Sequence, residues 1–111
     1  MKKSILLKKN EQRAIANLKE ILSKKFDLIE FRLFGSKARG ESTPESDVDV
    51  MIEIAESNPD IRLQIYDITF EINLENDTFI SMTIFSKKEI EDGPMAESPI
   101  YKIIHKEGVP I

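Results

Sequence analysis

Leu33-Phe34-Gly35-Ser36-Lys37-Ala38-Arg39-Gly40-Glu41-Ser42-Thr43-Pro44-Glu45-Ser46-Asp47-Val48-Asp49-Val50 is the stretch on which the rest of the chain turns. It leaves one strand and enters another. Upstream, Leu28 to Phe34 alternates. Ile29, Phe31 and Leu33 share one side, and Leu28, Glu30, Arg32 and Phe34 share the other, which is the period of a strand with one well-buried face. Gly35 ends that strand. Downstream, Asp47 to Ile54 reads as a second strand. Val48, Val50, Ile52 and Ile54 lie on one face, with Asp47, Asp49, Met51 and Glu53 on the other.

Working outward, Asn10 to Phe26 carries Ala14, Ile15, Leu18, Ile21, Leu22 and Phe26 at helical spacing. Asn10 is the expected cap, with Glu11 in the first turn. Asn58-Pro59 opens a second helix, continued by Ile61, Ile65, Ile68 and Ile72. Thr78 to Phe85 reads as a third strand. Ser86 and Glu89 form a capping box for a short helix, and Ser98-Pro99 opens a last helix that Gly108 stops. The order predicts a small α/β (α+β) fold, helices on a sheet of three strands or more, in one domain spanning residues 1–111.

Composition narrows the chemistry. The chain has 111 residues, with 16 Lys and Arg against 20 Asp and Glu, for a net charge of −4. Non-specific binding to a nucleic-acid backbone needs a basic patch, so none is expected. No cysteine excludes disulfides, thiol nucleophiles and Cys-ligated zinc, and a single histidine excludes a His cluster. The apolar run Ile5-Leu6-Leu7 is followed at once by Lys8-Lys9, too short for a signal peptide or a membrane span. A cytoplasmic protein is expected.

Asp47 and Asp49 stand two apart on a strand, so both carboxylates point to one face with Cα atoms roughly 6.6 Å apart. A bare Asp-x-Asp is more often a solvated strand face. Here a glycine and a serine lie directly upstream. Gly35 lets backbone approach a ligand closely, and Ser36 would open a short helical turn whose N–H groups and hydroxyl suit phosphate oxygens. Two carboxylates can share a divalent cation such as Mg²⁺, which favours oxygen ligands and substrate phosphates. Two other phosphate motifs fail. Gly35-x4-Gly40 is a near miss of the P-loop, with Glu41 where the lysine should be, and the dinucleotide fingerprint lacks its third glycine. Lys37 and Arg39 could neutralise phosphates, though loop cations are commonly solvated.

Gly35-Ser36-x-Ala38-Arg39-Gly40, a short acidic loop containing proline, then Ser46-Asp47-x-Asp49-Val50 resembles the signature of the DNA polymerase beta-type nucleotidyltransferase superfamily. The small size resembles its minimal nucleotidyltransferase (MNT) proteins. The resemblance implies a mixed sheet with helices mainly on one side, and transfer of a nucleoside monophosphate from an NTP, ATP first, dependent on Mg²⁺ or Mn²⁺. Gly35 and Ser36 would then contact the triphosphate with Arg39 beside them, and Asp47 and Asp49 would hold the metals and carry catalysis. The family usually supplies a third carboxylate from the later strand. Here Ser81 or Thr83 stands in that place, with Asp77 and Glu71 as the nearest acidic alternatives. MNT proteins are commonly encoded beside HEPN-domain proteins, and some add AMP to a tyrosine of that partner. Two functions follow from the resemblance: a nucleotidyltransferase acting on a partner or within a homodimer, and a catalytically weak, antitoxin-like nucleotide-binding module that binds a HEPN-domain toxin. A domain whose motif is merely structural is the third and blandest reading. His105, Lys24-Lys25 and Lys87-Lys88 read as solvated, Tyr66 and Tyr101 as partly buried, and Met51 as packing beside the site.

Overall fold

The computed structural model describes residues 7–41 and 46–111. Residues 1–6, and Ser42, Thr43, Pro44 and Glu45 of the motif loop, lie outside the described residues. The elements follow the order α1 (Lys9–Lys25), β1 (Leu28–Phe34), α2 (Gly35–Arg39), β2 (Val48–Ile54), α3 (Pro59–Asn76), β3 (Ile80–Ser86), α4 (Lys87–Glu91), a 3₁₀ turn (Pro94–Glu97), α5 (Pro99–Glu107) and β4 (Val109–Pro110). The sheet has the order β3-β2-β1-β4. β1 is antiparallel to β2 and β4, whereas β2 and β3 run parallel. A parallel pair needs a crossover, and the 18-residue α3 supplies it.

Register confirms the expected faces from Phe31 onward, but a register shift between Leu28 and Glu30 turns Leu28 to the main core and leaves Ile29 exposed, the reverse of the alternation expected there. Phe31 pairs with Ile52 and Leu33 with Val50, while Val48 pairs with Ile80 and Ile52 with Ile84. These side chains join Ala14, Leu18 and Leu22 of α1 and Ile65 and Ile72 of α3 in the main core. The opposite face carries a smaller cluster, Met51, Phe85 and Ile104, with Phe34, Ile90 and Tyr101 packed against it. The two long helices thus cover one face, and the short α5 seals part of the other. That second cover buries Met51 completely, so β2 is buried on both sides along most of its length. Among the described residues no helix is long and apolar enough to cross a membrane.

Several local expectations are corrected. Asn10 does not cap α1. The helix begins at Lys9, and the Lys8 N–H donates to Glu11 Oε1 at 2.9 Å. The Asn10 amide instead donates to the carbonyls of Asn76 (2.9 Å) and Asp77 (3.1 Å), tying the start of α1 to the end of α3. His105 is not on a solvated face. Its ring stacks at 4.4 Å on Tyr101, which is partly buried as expected, and its Nε2 lies 3.4 Å from Glu30. Tyr66 is exposed on α3. The two-residue β4, too short to leave a pattern, adds the fourth strand.

The largest correction is Lys37. Its side chain is 2% exposed, and its Nζ lies 3.3 Å from Glu11 Oε2. An ion pair taken out of water tolerates loss of neither partner, because the survivor is left as a lone buried charge. Lys37→Met is expected to lower unfolding free energy by about 3–5 kcal/mol in urea titration. Adding Glu11→Gln should recover part of that loss, since the amide oxygen still accepts the Lys8 N–H and no unpaired charge remains.

Candidate functional site

β1 delivers the chain to the site and Gly35 turns it. Gly35 has φ +74°, a left-handed conformation that side chains disfavour. An added Cβ would also press into the Asp49 carboxylate, 3.2 Å from its Cγ. Bare backbone is therefore laid against Asp49, and only glycine permits it. Ser36 follows, half-buried in the first turn of α2. Ala38 packs into the main core and anchors the turn. Gly40, with φ +73°, closes the turn, and Glu41 N–H donates to Ser36 O at 3.0 Å. The expected short helical turn after Gly35 is present.

Asp47 sits just before β2 and is exposed; Asp49 lies inside the strand and is half-buried. Burial raises the Asp49 pKa above the ordinary value, the Asp47 charge adds to the rise, and Arg39 opposes it. The three groups therefore share one electrostatic neighbourhood. Two carboxylates that repel one another, beside an open backbone turn, fit a divalent cation, whose charge would remove that repulsion. Arg39 is already engaged, with Nε 3.0 Å from Glu41 and a terminal nitrogen 3.2 Å from Glu107.

Strand register decides which of the two hydroxyls lies beside Asp49. Asp49 pairs with Ser81, and Met51 with Thr83, so Ser81 is the residue beside the acidic pair. Neither Asp77 nor Glu71 is brought into a cluster of three such side chains with Asp47 and Asp49 among the described residues. Among the described residues no three His, Asp or Glu side chains converge as a metal site. Glu71 belongs to α3, which covers the opposite face of the sheet, and Asp77 is the exposed left-handed residue that terminates that helix. Phe79 was not singled out by the sequence. Its carbonyl accepts the Val48 N–H at 2.9 Å and its side chain is 70% exposed, on the Asp49 face by alternation with buried Ile80. An aromatic at a strand start reads as core, and only its exposure marks it. A cavity of ≈ 540 Å³ lined by Ser57, Asn58, Arg62 and Ser86 opens at the far end of β2 and shares no residue with this site.

Residues 15–109 match the model of the nucleotidyltransferase domain family. The chain belongs to that family. This nucleotidyltransferase-domain chain is 52% identical over 40 residues to a candidate protein adenylyltransferase of Methanocaldococcus jannaschii. The matched stretch is 36% of this chain and spans 40% of that relative's length. Solved structures share the fold at low identity. A candidate minimal nucleotidyltransferase superposes with a TM-score of 0.63 at 16% identity, covering 90% of this chain and 91% of that one. A toxin-antitoxin structure with AMP-PNP gives 0.61 at 17% identity, over 89% of this chain and 70% of that one. A candidate nucleotidyltransferase from Sulfolobus solfataricus gives 0.55 at 17%, over 96% and 90%.

The raised pKa of Asp49 makes the stability of the fold depend on pH. A carboxyl whose folded pKa is raised holds its proton to higher pH than in the unfolded chain. Ionised Asp49 therefore costs stability, and that cost grows as pH rises through the folded pKa. Asp49→Asn is expected to raise the melting temperature of the metal-free chain at neutral pH. The gain should close as the pH falls toward the ordinary aspartate value of 3.8, read by circular dichroism melts with chelator.

Proposed function

We propose that this chain binds an NTP, ATP first, with Mg²⁺ or Mn²⁺ at Gly35, Ser36, Asp47 and Asp49, and transfers the nucleoside monophosphate to an acceptor carried by a partner. The observation that carries the reading is the Gly35 backbone laid against the half-buried Asp49 carboxylate, with the Asp47 charge beside it. The backbone turn and the Ser36 hydroxyl offer donors to phosphate oxygens. Asp47 and Asp49 would hold the cation, which neutralises the triphosphate. Arg39 adds positive charge nearby, although phosphate contact must compete with Glu41 and Glu107. In the reaction an acceptor oxygen attacks the α-phosphorus, the bond from that phosphorus to the bridging oxygen breaks, and pyrophosphate leaves. The acceptor's proton must pass to a base or to solvent.

That last requirement favours weak transfer by the isolated chain, because Ser81 offers a hydroxyl where a carboxylate would serve as ligand or base. It also supports a second reading, a nucleotide-binding antitoxin-like module that acts by binding a HEPN-domain toxin. The likeness of the fold to a protein solved in a toxin-antitoxin structure with AMP-PNP is in keeping with it. A homodimer supplying the acceptor is the remaining arrangement. A cytoplasmic setting suits all three.

Asp47→Asn with Asp49→Asn keeps size and removes the charge that would hold the cation. Calorimetric titration with Mg-ATP should show a large loss of affinity; unchanged metal-dependent binding would sink the assignment. The wild-type chain incubated with α-labelled ATP should transfer little label alone and more with its genomic neighbour. Ser81→Asp, which installs a carboxylate opposite Asp49, is expected to raise transfer by on the order of 10²-fold. No gain from Ser81→Asp, or robust transfer by the wild-type chain alone, would show that the missing carboxylate is not limiting.

A further inference from the structure

α3 is apolar on two sides. Ile61, Ile65, Ile68 and Ile72 turn toward the main core. Leu63, Tyr66, Phe70 and Leu74, spaced three, four and four apart, form a ridge on the outward side. Leu63, Phe70 and Leu74 are 63%, 63% and 69% exposed, and Tyr66 is 46% exposed. Single exposed apolar residues are ordinary, but four large ones in one row are not.

Beside the ridge runs a second row, Asp60, Asp67, Glu71 and Glu75, all exposed. Among the described residues no ion pair reaches any of the four, and Asp60 accepts only the Gln64 amide, at 2.9 Å. The other flank holds Arg62, which is committed to Glu89 (2.6 Å) and the Ile84 carbonyl (3.2 Å). The ridge is thus bordered by uncompensated negative charge.

That border selects the occupant. In an antiparallel two-fold pairing of α3 with its own copy, equivalent flanks meet, setting four carboxylates against four. A parallel pairing would set the acidic row against Arg62 alone, which is already paired. A different surface satisfies both features: an apolar row bordered by cations. We infer that the outward face of α3 docks an amphipathic helix of a second protein whose apolar ridge is flanked by lysine or arginine. The inference goes beyond the nucleotide reading and does not rest on it, since α3 covers the sheet face opposite Asp49.

The test uses the full chain and a fluorescein-labelled helical peptide with leucines at a and d and lysines at e and g. A second peptide carries glutamates in place of the lysines. Anisotropy titration at physiological salt is expected to favour the lysine peptide by about tenfold or more. Leu63→Ser with Phe70→Ser, exposed positions whose change should leave the melting temperature unaltered, should weaken it by a similar factor. Glu71→Lys with Glu75→Lys should reverse the preference between the two peptides. Equal binding of both peptides by the wild-type chain, or binding untouched by the ridge variant, would overturn the inference. So would a concentration-dependent dimer in sedimentation that the ridge variant abolishes, because the occupant would then be a second copy. Failure of the wild-type chain to bind Mg-ATP would count against the nucleotide reading alone.

Discussion

The buried pair of Lys37 and Glu11 holds together the parts of the molecule that matter most. Glu11 stands in the first turn of α1, and Lys37 in the turn that follows β1. One Glu11 oxygen accepts the Lys8 N–H and the other faces the Lys37 ammonium. A lysine this deeply buried is tolerated only when paired. The pair therefore fixes where α2 can sit relative to α1. Because α2 begins with Gly35 and Ser36, it also fixes the backbone laid against Asp49. Ala38 adds apolar anchorage, so the turn is held by packing as well as by charge.

The mixed sheet sets the second constraint. β2 is hydrogen-bonded on both sides, antiparallel to β1 and parallel to β3. Its Asp49 carboxylate therefore lies between the Gly35 turn, which comes from β1, and Ser81, which comes from β3. The parallel step forces the chain through α3, and α3 must cover the sheet to bury its isoleucines. Its outer side is left to solvent with a row of apolar side chains. The same topological step that brings Ser81 beside Asp49 thus also creates the exposed ridge.

The two faces of the sheet divide the work. One face is closed by α1 and α3 and carries the main core. The other is only partly covered: α5 buries Met51 against Phe85 and Ile104, while Asp49 stays half-exposed and Phe79 open at the edge. Coverage at one end and access at the other explain why consecutive same-face residues of β2 have such different surroundings.

Much of this was legible in the residues because it depends on neighbours in the chain. The strand period of two predicts Asp47 and Asp49 on one face; β2 begins only at Val48, and the charge of Asp47, just before it, still acts on Asp49. Asn58 caps α3, with its side chain accepting the Ile61 N–H at 2.8 Å, and Ser86 pairs with Glu89 in a capping box, because such contacts span three residues. What the sequence left open involves partners far apart. Asn10 looks like a cap until the end of α3 arrives beside it. Lys37 looks like a loop cation until Glu11 is found within reach. Ser81 and Thr83 are equal candidates until register sets Ser81 opposite Asp49. The outward ridge of α3 is hidden because a helix apolar on two sides shows no single stripe. Local periodicity and capping are written into adjacent residues, whereas burial, register and charge pairing between distant ones exist only once the chain has folded.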